Sequence, residues 1–183
     1  GRSARVLVNG AGGAVGTFVC QLAVAAGALV DAVAAPADVG RLLRFGVDRV
    51  LDYHEQGTAA TLRDWAGTGY DIVADLVGAG TDLAPLLGYG GTIAATLGRP
   101  DLARVAPFTI SPTAVEIALG AVYQCGTNQQ RQDLGVQLGR LLHEVAAGRL
   151  ASPPFTVVPL ADLPTIWQRK GDRSASGKLV AIL

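Results

Sequence analysis

Residues 6–16 read Val-Leu-Val-Asn-Gly-Ala-Gly-Gly-Ala-Val-Gly, an apolar run that passes through clustered glycines into a second apolar segment. No charged residue occurs between Val6 and Val30. A stretch of that length could suggest a membrane span, but a span needs about 20 continuous apolar residues and the glycines interrupt this one early. The pattern is instead that of a buried strand, a tight turn and a buried helix. A dinucleotide-binding turn places glycines at the first, third and sixth positions of such a unit. Here those positions hold Ala11, Gly13 and Gly16, giving AxGxxG. Gly13 allows a pyrophosphate to approach the backbone with no Cβ in the way. Gly16 allows the helix to pack closely on the sheet. The helix N-terminus then offers unpaired N–H groups and the positive end of its dipole to an anion. The alternative phosphate loop, GxxxxGK[ST], does not occur: Gly171 and Gly177-Lys178 are one residue too far apart, and Leu179 follows.

Short apolar runs alternate with helix-period segments along the rest of the chain. Strands are predicted at 5–9, 29–34, 49–52, 71–75 and 92–95, each apolar and bounded by turn residues, as in strands covered on both faces. The first helix carries Val15, Phe18, Val19, Leu22, Ala23 and Ala26 at steps of three and four, and Gly27 caps its end. A second covers about 38–45, with Asp38 as N-cap and Gly46 beyond its end. Two more are predicted near 58–65 and 81–87. Such alternation gives a parallel sheet with right-handed crossovers, an α/β fold of the doubly wound type. A sixth strand is expected within 114–122. A long helix follows over 130–147, with Leu134, Leu138, Leu141, Leu142 and Val145 facing inward. After Gly148 the character changes: Ser152-Pro153-Pro154 breaks the chain. A strand near 155–160, a helix near 161–169, a polar turn over 171–176 and a last strand over 178–183 complete it. The chain divides into residues 1–150, a dinucleotide-binding domain, and 151–183, a tail of different origin.

Lys plus Arg and Asp plus Glu balance at 15 each, with no basic cluster, which excludes a nucleic-acid-binding face. With 50% hydrophobic and 16% charged residues the chain has material for a packed core and too little charge to stay disordered. Cys20, Cys125, His54 and His143 show no metal-ligand spacing. Two thiols and no visible secretory leader favour a reduced, cytoplasmic setting. There is no Tyr-x-x-x-Lys pair and no GxSxG elbow. His54 and His143 are expected at the surface, and no residue is assigned a catalytic role.

Val6–Gly16, Gln21-Leu22-Ala23, Ala26-Gly27-Ala28 and the run from Phe45 to Tyr53 together resemble the cofactor domain of the medium-chain dehydrogenase/reductase superfamily. The nearest likeness is to its quinone-oxidoreductase and enoyl-reductase branch. The segment from Tyr70 to Gly78, the segment Gly90-Gly91-Thr92-Ile93-Ala94-Ala95 and the closing run from Gly177 to Leu183 are similar to further segments of that branch, in the same order. The resemblance implies a Rossmann-type sheet. It implies Gly13, Ala14 and Val15 under a pyrophosphate, Leu76, Val77 and Gly78 beside the nicotinamide ribose, and Ala95, Thr96, Leu97 and Gly98 near the nicotinamide. Asp75 matches a structural position of the family.

The resemblance also implies Ala34 at the place where an acid would hold the ribose of NAD. Tyr53 is expected beside the adenosine phosphate, and Arg41 could reach over from the second helix. The missing acid at Ala34 favours NADP over NAD. Family members carry a barrel-like domain ahead of the glycine turn, so this chain is expected to lack that domain and with it most of the substrate pocket. Residues 151–183 are then the return segment that would pack on it. The function implied is hydride transfer to a quinone, enone or enoyl substrate, with the chain inactive alone. A free-standing dinucleotide-binding or redox-sensing module is the alternative, and a methyltransferase-like site is disfavoured by the lack of an acid at Ala34. A homodimer is expected through the free edge of the strand near 115–122, with Phe155, Val157, Val158, Ile166 and Trp167 forming a second apolar surface.

Overall fold

The computed structural model describes residues 2–170 and 178–182. The turn expected over 171–176 and the end at Leu183 lie outside the described residues, as does the side chain of Trp167. Six parallel strands form the main sheet: β1 (Arg5–Asn9), β2 (Leu29–Ala34), β3 (Arg49–Asp52), β4 (Tyr70–Asp75), β5 (Leu87–Ala95) and β6 (Thr113–Glu116). Their order is β3-β2-β1-β4-β5-β6. The chain therefore reverses its direction of travel between β1 and β4, which opens a crevice at the carboxyl ends of those two strands. Helices α1 (Ala14–Ala25) and α2 (Pro36–Arg44) cover one face, over a core of Val6, Val8, Cys20, Val30, Ala32 and Leu42. On the other face α3 (Thr58–Ala66) and α4 (Gly80–Leu83) enclose Leu7, Val33, Leu62, Tyr70, Val73 and Ile93.

Several expectations change in detail. The predicted strand at 92–95 begins at Leu87, because the register against β4 slips between Tyr70 and Ile72. The slip is absorbed by Gly90, at φ 73°, and by Gly91, whose Cβ would sit 2.7 Å from the Tyr70 carbonyl. This glycine bulge hides the strand's first half from a pattern reading. Strand β5 also takes up the end of the helix expected at 81–87. The inward face of α1 is Gly16, Thr17, Cys20 and Gln21, whereas Val15 and Leu22 are exposed. Small and polar residues win because the helix lies so close to the sheet that larger side chains are displaced to its flanks.

Asp38 is not a helix cap: Ala35 holds that position, and Asp38 sits in the first turn of α2 with its carboxylate on Arg41. Pro36, suited to the first turn, starts the helix two residues earlier than expected.

After the short α5 (Val122–Cys125), α6 runs over Asn128–Ala146. A capping box starts it: the Gln130 N–H donates to the Thr127 hydroxyl and the Thr127 N–H donates to the Gln130 side chain. The expected inward leucines are not buried; Leu138 and Leu142 are 58% and 60% exposed. The reason is the partner, since β6 has four residues, all exposed, and offers α6 no apolar bed.

Beyond α6 the chain is tied back by Gln21, whose side chain donates to the Ala151 carbonyl at 3.0 Å and accepts from its N–H at 2.7 Å. Strands β7 (Phe155–Pro159) and β8 (Lys178–Ile182) then pair parallel in a separate two-stranded sheet, linked through α7 (Leu163–Lys170). Phe155 and Val157 are exposed and Val158 is buried.

At the amino ends of the strands one buried acid joins four elements. Asp31 of β2 accepts two bonds from Arg49 of β3, at 2.7 and 2.6 Å, and one from the Tyr70 hydroxyl of β4 at 2.7 Å. Arg5 of β1 stands 3.8 Å away. Burial and the bond to Asp31 push the Tyr70 phenol up.

Two outcomes follow from this packing. A Cβ on Gly16 would overlap the Gly10 carbonyl and lie 2.6 Å from the Ala11 Cα, so backbone must move to admit it. Gly16→Ala should cost about 3 kcal/mol or more in urea unfolding. Cys20 is fully buried and its thiol is pushed up to about 12 by burial, against the lowering influence of Arg41. Only Cys125 should react with a thiol reagent at pH 8 in the folded chain, and both should react in denaturant. The unfolded thiol ionises from its ordinary value of 9.0 while the folded one holds its proton to about 12. Stability should therefore fall as pH rises through that window, less steeply in Cys20→Ala.

Candidate functional site

The turn after β1 is built by a glycine outside the expected pattern. Gly10 has φ 87°, the left-handed region, and a Cβ there would meet the Val77 side chain at 2.7 Å. It therefore performs the tight turn one residue ahead of the fingerprint's first position. That explains why Ala11, fully buried and bound through its N–H to the Val33 carbonyl at 3.0 Å, is accepted there. Gly13 has φ −70° and ψ 172°, an ordinary conformation for any residue. A Cβ on it would meet only the Gly10 carbonyl, at 3.4 Å, and would otherwise stand in the open crevice. Position 13 thus stays open where position 16 is closed by packing.

Gly13 is also the N-cap of α1, with no side-chain cap and no acid in the first turn. Its carbonyl accepts the Thr17 N–H and the Thr17 hydroxyl, both at 2.9 Å. The N–H groups of Ala14, Val15 and Gly16 have no backbone or side-chain partner among the described residues. A 12-residue helix presents its positive end and three free donors at the mouth of the crevice, an arrangement suited to a pyrophosphate.

The other predicted positions line the same edge. The Leu76 N–H donates to the Asn9 carbonyl at 3.1 Å, which ties the end of β4 to the glycine turn. Val77 is 55% exposed and Gly78 stands at φ 91°. A Cβ on Gly78 would touch the Leu97 carbonyl at 3.7 Å, so the ends of β4 and β5 meet. Ala95 is buried and its carbonyl accepts the Ile117 N–H at 2.8 Å, leaving Leu97, 57% exposed, and Gly98 to face the crevice. At the end of β2 Ala34 is buried, and its carbonyl accepts the Tyr53 N–H at 3.4 Å. The exposed Tyr53 ring lies beside His54, with centroids 4.1 Å apart. The His54 backbone N–H and ring hold Asp52 below the usual carboxylate range. His54 is a surface residue paired with its neighbour, not a group aimed into the crevice.

Beneath the rim the Asn9 amide donates to Asp75 at 3.0 Å, and the Val77 N–H donates to the same oxygen at 3.2 Å. Both side chains are buried, and the second Asp75 oxygen has no partner among the described residues. Asp75 therefore braces β1 against β4 and does not reach the crevice. A network that pattern reading touched only in part links α2 to the turn. Arg41 donates to the Gly12 carbonyl at 3.0 Å, to the Thr17 hydroxyl at 2.7 Å and to Asp38 at 2.6 Å. Beyond β5, an open groove of about 590 Å³ runs between the end of β6 and α6, lined by Ile117, Leu119, Val122 and Leu134 among others.

Residues 45–180 match the family described as zinc-binding dehydrogenase. A mycocerosic acid synthase-like polyketide synthase of Mycolicibacterium smegmatis is 32% identical over 96% of this chain, which spans 8% of that protein. A solved probable oxidoreductase from Mycobacterium abscessus superposes with a TM-score of 0.76 at 27% identity, over 99% of this chain and 55% of its own. The CurK enoyl reductase gives a TM-score of 0.77 at 22% identity, over 98% and 54%. The chain thus spans about half the length of these solved relatives. Among the described residues no three His, Cys, Asp or Glu side chains converge as a metal set. Nor is any helix among them long and apolar enough to cross a membrane. The glycine cradle, the strand order and the matched residues agree: this chain belongs to the zinc-binding dehydrogenase family, within the medium-chain dehydrogenase/reductase superfamily.

Proposed function

We propose that the chain is the dinucleotide-holding half of an oxidoreductase, and that the uncapped N-terminus of α1 over the Gly13 opening is the observation that carries this reading. The N–H groups of Ala14, Val15 and Gly16 would hold the pyrophosphate of a nicotinamide dinucleotide. Ala34 and Tyr53 would border its adenosine end. Leu76, Val77, Gly78, Ala95, Leu97 and Gly98 would flank the nicotinamide end. The bound dinucleotide supplies the hydride, and these residues orient it. The substrate's remaining contacts would lie on another domain, in keeping with a chain that spans about half the length of its solved relatives. Quinones, enones and enoyl compounds are the acceptor classes proposed. The return segment, 151–183, would pack on that second domain, and its exposed Phe155 and Val157 support this. A reduced, cytoplasmic compartment suits the two free cysteines.

The free outer edge of β6 supports a two-fold dimer formed edge to edge. Because the Ile117 N–H turns inward to Ala95, alternation along the strand turns the groups of Ala114 and Glu116 outward.

Calorimetry should show NADH or NADPH binding to the full chain, and Gly13→Val should weaken it at least about tenfold by filling the cradle with a branched side chain. No binding at millimolar ligand would defeat the reading. Turnover with quinones or enones should be negligible for the chain alone; robust substrate-dependent oxidation of the dinucleotide, lost in Gly13→Val, would show the catalytic half to be complete. Sedimentation should give a dimer that Glu116→Pro splits, and a monomer at high micromolar concentration would refute the edge pairing.

A further inference from the structure

The geometry of α2 assigns a residue to the discrimination between the two nicotinamide dinucleotides: we propose that Asp38, held by Arg41, accepts the adenosine ribose hydroxyls and excludes a 2′-phosphate. The inference rests on the dinucleotide reading above. In a sheet of this order the ribose is received where β2 ends, beside the glycine turn. The strand itself ends on Ala34, which has nothing to offer, and for that reason the sequence favoured NADP. The folded chain brings an acid to the same wall from the first turn of α2.

Asp38 is buried, 8% exposed, and only one of its oxygens is occupied. Oδ1 accepts from Arg41 at 2.6 Å. Oδ2 makes no hydrogen bond among the described residues and packs on the Cα of Gly12. The fit is so close that a Cβ at position 12 would overlap the carboxylate, with Cγ at 2.8 Å. Gly12 is therefore kept small by Asp38, just as Gly16 is kept small by the turn. The turn is in turn fixed to β2, since the N–H groups of Gly10 and Ala11 both donate to the Val33 carbonyl. Glycine turn, strand end and carboxylate thus form one wall, with a free acceptor in it.

The cation beside this acceptor is already committed. Arg41 spends its donors on Thr17, Gly12 and Asp38, its side chain is 16% exposed, and its guanidinium lies 5.9 Å from the Phe45 ring. Arg49, on β3, is bound to Asp31 at the opposite end of the strands. A ribose diol would donate to Asp38 Oδ2, the oxygen that Arg41 leaves free. A 2′-phosphate would set two negative charges against a carboxylate whose adjoining cation, Arg41, is already bound to it, and would have to break the Asp38–Arg41 bond to gain that cation. Like charges in contact are strongly unfavourable, and a buried carboxylate stripped of its partner is costly. The pair is neutral as a whole, so the discrimination acts at contact and not at long range.

The test uses ADP-ribose and its 2′-phosphorylated analogue, which lack the nicotinamide and so report binding without turnover. Calorimetry on the full chain should give ADP-ribose the higher affinity, by at least about tenfold. Asp38→Asn should bring the two affinities together, and Arg41→Lys, which keeps the charge balance, should preserve the order. Equal or tighter binding of the phosphorylated ligand to the unmodified chain would overturn the assignment, whether or not the variants fold. If neither ligand binds, the dinucleotide reading itself fails, and this proposal with it.

Discussion

The approach of α1 to the turn that precedes it is the contact on which the site depends. A helix can place its N-terminus over the mouth of a parallel sheet only if its first turn lies against the backbone of the loop. Gly16 meets the Gly10 carbonyl and the Ala11 backbone with no space for a methyl group. Everything at the crevice inherits that distance: the three free N–H groups, the opening at Gly13, and the tie between Arg41 and the Gly12 carbonyl. The same closeness selects Thr17, Cys20 and Gln21 as the buried face of α1 and moves Val15 and Leu22 outward.

The opposite end of the sheet is fixed by charge. Asp31 gathers Arg49 of β3, Tyr70 of β4 and the nearby Arg5 of β1. Arg49 lies 4.6 Å from the Trp65 ring, and Arg5 lies 5.2 Å from that of Tyr70, so the cations are sandwiched as well as paired. Burying such a group contributes more to specifying register than to net stability, because desolvation offsets much of the attraction. The sheet is thus set by a polar clamp at one end and a steric one at the other.

Large apolar surfaces remain uncovered. The chain exposes 11283 Å², where a compact monomer of 18.7 kDa would expose about 8,300 Å². The excess is carried by α6, by the outer strands β5 and β6 and by the β7–β8 pair, whose exposed side chains include Leu138, Leu142, Val115, Phe155 and Val157. The extent of these surfaces agrees with a chain that spans about half the length of its solved relatives.

The sequence by itself determined the strand-turn-helix unit, the alternation behind it and the five central strands. These are legible because glycine spacing and apolar runs are local signals that tertiary contacts rarely override. The close packing at Gly16 could be read from spacing alone. The period of α6 was equally plain, yet its leucines found no partner, since periodicity shows that a face is apolar and not what lies opposite. Only the folded chain decided that Gly10 makes the tight turn, that Gly90 and Gly91 bulge β5, and that Asp38 leaves the helix cap to stand against Gly12. Each of these depends on atoms from segments far apart or on a backbone angle, and neither is written in the spacing of residues along one strand or helix.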